Sequence, residues 1–421
     1  MQLEGPSRTS SIRSRLGAAA CLLLASGMPA IAHADGAATN QFDAATLFYG
    51  ETGRAKVFEP TARVTRLFPD GQSLSLQLGI DVITGASPSG ALPSGRIQTT
   101  TTPSGNLMTV PAGQIPMTAF KDRRVSLDGD WQRPFLRVFT STIGGHFSRE
   151  KDYQSLGASA RLSVDLTQRL TTITLGAGIN HDGVFPVGGT PVGLSDGSAP
   201  VSTGSDSKRV ASRMVGLSRV LTRRWMLGVN ATRTREEGYL TEPYKLVSLV
   251  DAESGLTTGQ LTEKRPSARD RTDVLASSVY HLTEDVLYMS YRYYWDDWSV
   301  RSHTVDLKYR RELANHTYVE PHVRYYAQTR SNFFTFGLVD GAPVPEFASS
   351  DYRLGPLRTA TLGATVGFRV HDSPGEWSIR AEYIRQMGDG HPGDAIGAQR
   401  QFDLMPPVNI GTLFLGYSVA F

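Results

Sequence analysis

The chain has 421 residues, with 43 Lys and Arg against 40 Asp and Glu and a formal net charge of +3. So even a balance excludes partners held through phosphate backbones, which need a clustered basic excess, and no nucleic acid is expected. The single cysteine, Cys21, excludes a disulfide framework and, elsewhere in the chain, a thiolate metal site or nucleophile.

The first element reads as a secretory leader. Arg13 and Arg15 precede a mostly apolar stretch from Leu16 to Ile31, and Ala32-His33-Ala34 has the small-x-small pattern of a cleavage site. The leader then spans 1–34 and one domain occupies 35–421. Cys21 sits inside the apolar stretch with Leu22-Leu23-Leu24 behind it, which does not suit lipid attachment. Removing 34 of the 421 residues leaves 387; three cations and one anion go with them, so 40 basic face 39 acidic residues. Beyond the leader no apolar run approaches the ~20 residues of a membrane helix.

From Phe42 onward, segments of about ten residues alternate apolar with polar or small side chains, the period of an extended strand. The pattern places strands at 42–50, 56–68, 73–84, 123–132, 135–148, 153–166, 171–181, 210–221, 225–235, 273–282, 286–295, 300–311, 317–328, 357–370, 377–386 and 411–421. In the third, Leu74, Leu76, Leu78, Ile80 and Val82 oppose Ser75, Gln77, Gly79 and Asp81. In the last, Leu413, Leu415, Tyr417, Val419 and Phe421 oppose Thr412, Phe414, Gly416, Ser418 and Ala420. The segments 210–221 and 273–282 mix their two sets and read as bulged or mis-registered.

The connectors sort by length. Long ones, roughly 85–121, 182–209, 236–271, 329–356 and 387–409, all follow odd-numbered strands. Short turns such as Pro69 to Gln72, Thr167 to Arg169, Thr222 to Arg224, Thr283 to Asp285, Leu313 to His316 and His371 to Glu376 follow even-numbered ones. Three hairpins near Glu51, Arg149 and Asp296 are tight at the long-loop end. This is the pattern of a transmembrane antiparallel β-barrel of about sixteen strands (roughly 14–18), with short periplasmic turns, long extracellular loops and both termini periplasmic. Closure follows from the hydrocarbon, where no water satisfies a sheet edge. The expected location is the outer membrane of a Gram-negative bacterium, among lipid and lipopolysaccharide, with the terminal Phe421 as an assembly signal. No N-terminal plug domain has room before Phe42.

Aromatics gather where amphipathic rings meet a membrane boundary. Phe68, Trp131, Trp225, Tyr318, Trp377 and Phe421 form one expected girdle; Tyr49, Phe147, Tyr153, Tyr293, Trp295 and Trp298 form the other. The Gly-, Pro-, Ser- and Thr-rich loop from Gly85 to Lys121, and Gly188 to Ser207, read as mobile surface loops, or else as a constriction folded into the lumen.

Alternation aims both signs of charge at the lumen: Asp81, Arg124, Asp128, Asp130, Arg161, Asp165, Arg292, Asp306, Lys308, Arg310, Glu320, His322, Arg324, Arg380 and Glu382. Opposed charges suit a selective eyelet, and equally a hydrated interior that pairs with itself. The pairs Asp128/Asp130, Asp296/Asp297, Glu320/His322 and His181/Asp182 invite a metal reading, but none has a third ligand at a defensible spacing. No cofactor, metal site or catalytic residue is expected.

Several stretches resemble a known family: Tyr291 to Thr304 (YRYYWDDWSVRSHT), Glu320 to Tyr326 (EPHVRYY), Asp81 to Pro88, Ser148 to Tyr153, Gly238 to Lys245 and Ser350 to Gly355. These are similar to the proteobacterial family called domain of unknown function 3570, over nearly all of the mature chain. The resemblance implies an outer-membrane barrel and brings no substrate or catalytic residue. It also implies an envelope redox setting, since the family's genes often neighbour flavin-transferase and thioredoxin-like genes. On its most specific stretch, Asp296, Asp297, Trp298, Arg301 and His303 are expected to form a rim cluster that latches loops or binds a solute. The expected function is porin-like passage of an unidentified small solute, as monomer or trimer. The alternatives are a closed or loop-plugged barrel serving an envelope complex and, third, an outer-membrane enzyme.

Overall fold

A computed structural model describes residues 38–101, 107–196, 201–202, 206–313, 316–370 and 374–421. The expected leader, 1–34, and residues 314–315 and 371–373 of two expected short turns lie outside them. The barrel strands are β1 (Thr39–Glu51), β2 (Lys56–Leu67), β3 (Ser73–Pro88), β6 (Met117–Phe135), β7 (Phe139–Arg149), β8 (Tyr153–Leu166), β9 (Thr171–Val184), β10 (Asp206–Thr222), β11 (Trp225–Gly238), β14 (Ala268–His281), β15 (Val286–Asp296), β16 (Arg301–Glu312), β17 (Tyr318–Gln328), β19 (Leu357–Arg369), β20 (Glu376–Gly388) and β21 (Val408–Ala420). Five short strands lie within long loops: β4 (Gln98–Thr101), β5 (Leu107–Val110), β12 (Leu246–Val250), β13 (Thr257–Thr262) and β18 (Gly337–Val339).

The sixteen long strands form one closed antiparallel barrel, each paired with its neighbours in sequence. Closure is made by β1 against β21, with Phe42 opposite Val419 and Leu47 opposite Phe414. The seam ends in two backbone bonds, Asn40 N–H to the Phe421 carbonyl at 2.7 Å and Phe421 N–H to the Asn40 carbonyl at 2.8 Å. No sheet edge is left unpaired around the ring, as a lipid environment demands.

Burial inverts the usual rule. Leu76, Ile143, Leu156, Val215 and Leu362 are 53, 57, 61, 56 and 65 % exposed, whereas Asp43, Glu59, Asp81, Asp182 and Glu236 are all buried. Outward side chains are greasy and inward ones polar, which only a surrounding hydrocarbon makes favourable. Among the described residues no helix is long and apolar enough to cross a membrane.

Every expected strand exists, and loop lengths segregate by end. Three sequence expectations need correction. Of the segments expected to be bulged or mis-registered, 210–221 carries one bulge-type irregularity, between Val220 and Thr222 on the β11 side, and is otherwise in register, while 273–282 shows no shift. Their mixed pattern arises because polar groups such as Arg213, Arg219, Asp270 and Thr272 face outward. The girdles lose four members, since Tyr49, Tyr153, Trp298 and Tyr318 turn inward to polar or aromatic partners. Tyr49 and Tyr153 donate to Glu51 and Asp182, Trp298 Nε1 donates to the Ala268 carbonyl, and Arg310 lies over Tyr318. The third correction concerns the loops.

The long loops are built into a cap. β12 pairs antiparallel with β13 and parallel with β18, a small sheet over the barrel mouth. Two apolar clusters bind it: Leu240, Trp298, Phe334, Leu354, Leu357 and Met405, and Leu92, Val250, Ala395 and Leu404. The loop after β3, expected to be a mobile surface segment, is pinned at its start. Ser89 accepts from Leu246 N–H at 2.8 Å, and Leu92 N–H donates to Ser248 Oγ at 2.9 Å. Gly90 permits this approach, with φ at +94° and the Leu246 carbonyl where a Cβ would stand. The segment after β9 is tied too, by Val187 N–H to Tyr244 Oη and Leu194 N–H to the Thr262 carbonyl.

Candidate functional site

The inner face divides into three levels. The cap is uppermost, held by a buried ionic cluster from two loops. Arg265 reaches Glu263 at 2.5 Å and Asp351 at 2.7 Å, with all three side chains at most 1 % exposed. Arg353 joins Asp351 and reaches Glu242 at 3.2 Å. Ser349 Oγ donates to Glu263, and Lys245 Nζ donates to the Pro88 carbonyl.

Electrostatics here follow from burial and pairing. Burial pushes the Lys245 ammonium down to about 8, helped by Arg353 and opposed by Asp351, Glu242 and Glu263. Burial likewise pushes the Glu263 carboxyl up, more than Arg265 lowers it. Burial would raise Asp351 too, but Arg353 and Arg265 together hold it well below the usual carboxylate range. Burial next to Glu51 pushes Tyr352 up to about 12.

Beneath the cap, neighbouring strands pair their inward charges. Arg124 binds Asp81, Lys208 lies 3.4 Å from Asp182, Arg271 2.8 Å from Glu236, and Arg269 binds Asp296. Around the other wall, His322 stands between two carboxylates, Nε2 3.0 Å from Asp306 and Nδ1 2.8 Å from Glu382. Both ring nitrogens thus have a carboxylate as hydrogen-bond partner. Arg324 shares Asp306 at 2.6 Å. Arg380 lies 3.6 Å from Glu382, and Arg292 3.7 Å from Asp273.

The third level, toward the short turns, is unevenly wet. On β6–β8 the inward Asp130, Ser159 and Arg161 are exposed. On β19, β20, β1 and β2, the inward Thr365, Arg380, Gln41, Asp43 and Thr65 are buried. A cavity of about 40 Å³ beside Asp43, Arg310, Tyr318, Glu320 and Arg380 has room for one or two waters. Open solvent therefore reaches one wall, while the other is closed apart from that small cavity.

The fifteen residues expected at the lumen lie on inward parity. Nine engage a carboxylate, cation or ring just described, and Glu320 has Lys308 as its partner. Of the others, Asp128 accepts from His146 Nδ1 at 2.6 Å, Asp165 from Thr172 at 2.7 Å, and Lys308 is 4.0 Å from Glu320. Asp130 and Arg161 face the wet wall.

The rim cluster splits. Asp296 turns inward and receives Trp298 and Val300 N–H as well as Arg269, so it pins the hairpin. Trp298 is 2 % exposed, its ring 4.5 Å from the Arg269 guanidinium. Asp297 instead accepts from Asp270 N–H, while Arg301 and His303 turn outward, His303 against Tyr291 at 2.7 Å. These five residues therefore share no single pocket.

Of the acidic and His pairs, His181 and Asp182 face opposite sides of the wall. Sequence reading missed an acidic group among the described residues: Asp122, Glu150 and Asp152 bring carboxylate oxygens within 4.8 Å of one another, close enough to share a cation. Its members come from β6 and a hairpin paired through the register Val125↔Arg149, which linear spacing does not reveal. Sequence reading also missed the cap cluster, in which paired side chains lie up to 111 residues apart, as Arg353 and Glu242 do.

A closed sheet with apolar exterior, polar interior and loops of two lengths at its two ends defines a transmembrane β-barrel of the outer-membrane type. The chain belongs to the family described as Protein of unknown function (DUF3570), whose pattern matches residues 13–419. No curated protein matches it. Among solved structures it is similar to a FadL homologue of Pseudomonas aeruginosa, with 13 % identity over 91 % of this chain and 89 % of that one, at a TM-score of 0.39. The outer membrane protein OpdK of the same organism gives 8 % identity over 91 % and 99 %, at 0.41. The ferric enterobactin receptor PfeA gives 10 % over 90 %, at 0.44, and the chain spans 60 % of that receptor's length.

Proposed function

We propose that this protein is a narrow outer-membrane channel for a small polar solute, with the capped end outside the cell and both termini in the periplasm. The wet inner wall carries the reading: Asp130, Ser159 and Arg161 remain exposed inside a barrel whose other wall is closed apart from one small cavity. Closed barrels fill their interior on all sides, whereas a passage needs one continuous hydrated face. Charges of both signs along that face favour a polar or zwitterionic solute over an apolar one. The cap and the paired ring below it form the constriction. No catalytic residue or cofactor enters this reading.

The buried cap supports a second reading, a shut barrel that serves an envelope complex. Planar-bilayer recording separates the two. A channel gives small, reproducible conductance steps that grow when the cap is loosened by Asp351→Asn. Silence from both proteins would favour the shut barrel.

A further inference from the structure

The most unusual surface is a cluster of arginines on the wall that should face lipid. Outward parity places Arg209 and Arg213 on β10 and Arg233 and Arg235 on β11, all exposed. The register sets Arg213 directly opposite Arg233, and Arg209 opposite His181 on one side and Glu237 on the other. Like charges directly opposite destabilise a sheet. Only part of the charge is answered: Arg233 forms a two-pronged pair with Asp270 at 2.9 and 2.6 Å, and Arg235 reaches Glu237 at 2.7 Å. Arg209 and Arg213 make no side-chain hydrogen bond or ion pair among the described residues. Four guanidinium groups against two carboxylates leave a net charge of +2 on a few square nanometres of wall.

Position adds a second argument. Apolar outward residues on β11 and β9 run for four places, Trp225 to Ala231 and Ile173 to Ile179, before Arg233 and His181. On β3 and β19 they run for five, Leu74 to Val82 and Ala360 to Phe368. Each place is about 6.6 Å of strand, so the polar boundary dips by about that much at the arginines. Arginine on the lipid face costs little only near the headgroup level. The patch thus lies where a phosphorylated headgroup meets hydrocarbon, and planar guanidinium forks match phosphate oxygens in pairs.

We propose that Arg209, Arg213, Arg233 and Arg235 bind the phosphates of an anionic glycolipid in the surrounding outer leaflet, with a phosphate bridging Arg213 and Arg233. The site is on the outside of the wall and does not depend on whether the lumen conducts.

The test uses the full barrel, folded in neutral detergent. It is titrated with bisphosphorylated lipid A, with the same glycolipid stripped of phosphate, and with inorganic phosphate. Saturable binding of the first is expected, with the other two weaker by about tenfold or more. Arg209→Gln with Arg213→Gln should lose about tenfold in affinity, and the two Lys substitutions should retain most of it. Folding of each variant is checked by heat-modifiable gel mobility; if the double variant fails to fold, Arg213→Gln alone carries the comparison. Equal affinity for the phosphate-free lipid, equal affinity for inorganic phosphate, or unchanged binding by the variant overturns the proposal. So does sedimentation showing that the arginine substitutions dissociate an oligomer while lipid A binding persists, which would make the patch a contact between copies.

Discussion

Arg265 and Asp351 form an ion pair of 2.7 Å in which neither side chain is more than 1 % exposed, although 86 residues separate them. The bond joins the loop carrying β12 and β13 to the loop carrying β18, so it closes the cap across the barrel mouth. Removing one partner of such a pair strands a buried charge, at a cost of about 3–5 kcal/mol. Asp351→Asn leaves Arg265 and Arg353 short of an anion. Trypsin should then cleave within 236–268 or 329–356 while the barrel keeps its heat-modifiable gel mobility. A cap as protease-resistant as wild type would refute the role.

Lys245 predicts how cap stability changes with pH. Its folded value is about 8, below an ordinary 10.5. Between these values the opened cap holds the extra proton, so stability rises with pH across the window; below it the amine is charged in both states and its contribution is constant. Tyr352 acts in the opposite sense above pH 10, where the folded state keeps its proton. Cap protection, read by hydrogen exchange of Val247 and Val250 amides, should therefore increase from pH 8 to 10. Lys245→Met should flatten that rise.

The wet wall predicts ion selectivity. Arg161→Glu reverses one charge beside Asp130 and Ser159 without touching the paired groups opposite. Reversal potentials under a salt gradient should shift toward cation preference. Stability should change by less than about 0.5 kcal/mol, as for an exposed side chain. An unaltered reversal potential in a conducting protein would place the passage elsewhere.

The seam predicts an assembly defect. Phe421 is 68 % exposed, yet its backbone completes the pairing with Asn40. Deleting it removes both bonds and one aromatic ring from the boundary. The yield of heat-modifiable barrel should fall several-fold, while molecules that do fold should unfold at a similar temperature. Full yield from the truncated chain would remove Phe421 from the assembly step.

Strand alternation was legible because each wall residue meets only one of two solvents. Leu74, Leu76 and Leu78 face outward at every second place, and Gln77 and Asp81 face inward, so a period of two carries the fold. The same rule misled where it was broken. Arg213 and Asp270 on the outer face made β10 and β14 look mis-registered, although their ladders are regular apart from one irregularity between Val220 and Thr222. Tyr153 and Tyr318 stand at strand ends as girdle residues do, but alternation puts Tyr318 on the same inward face as Glu320 and His322, and the strand-end position alone was the weaker signal.

Local chemistry alone therefore determined the number of strands, the grouping of loop lengths and the sign of each face, since these depend on near neighbours and on the medium. The cap, the buried cluster around Asp351, the acidic group at Glu150 and the dry and wet walls were decided only in three dimensions. Each depends on loops and strands far apart in the chain. Burial from water, and the charges that burial forces together, are properties of their meeting rather than of any one segment.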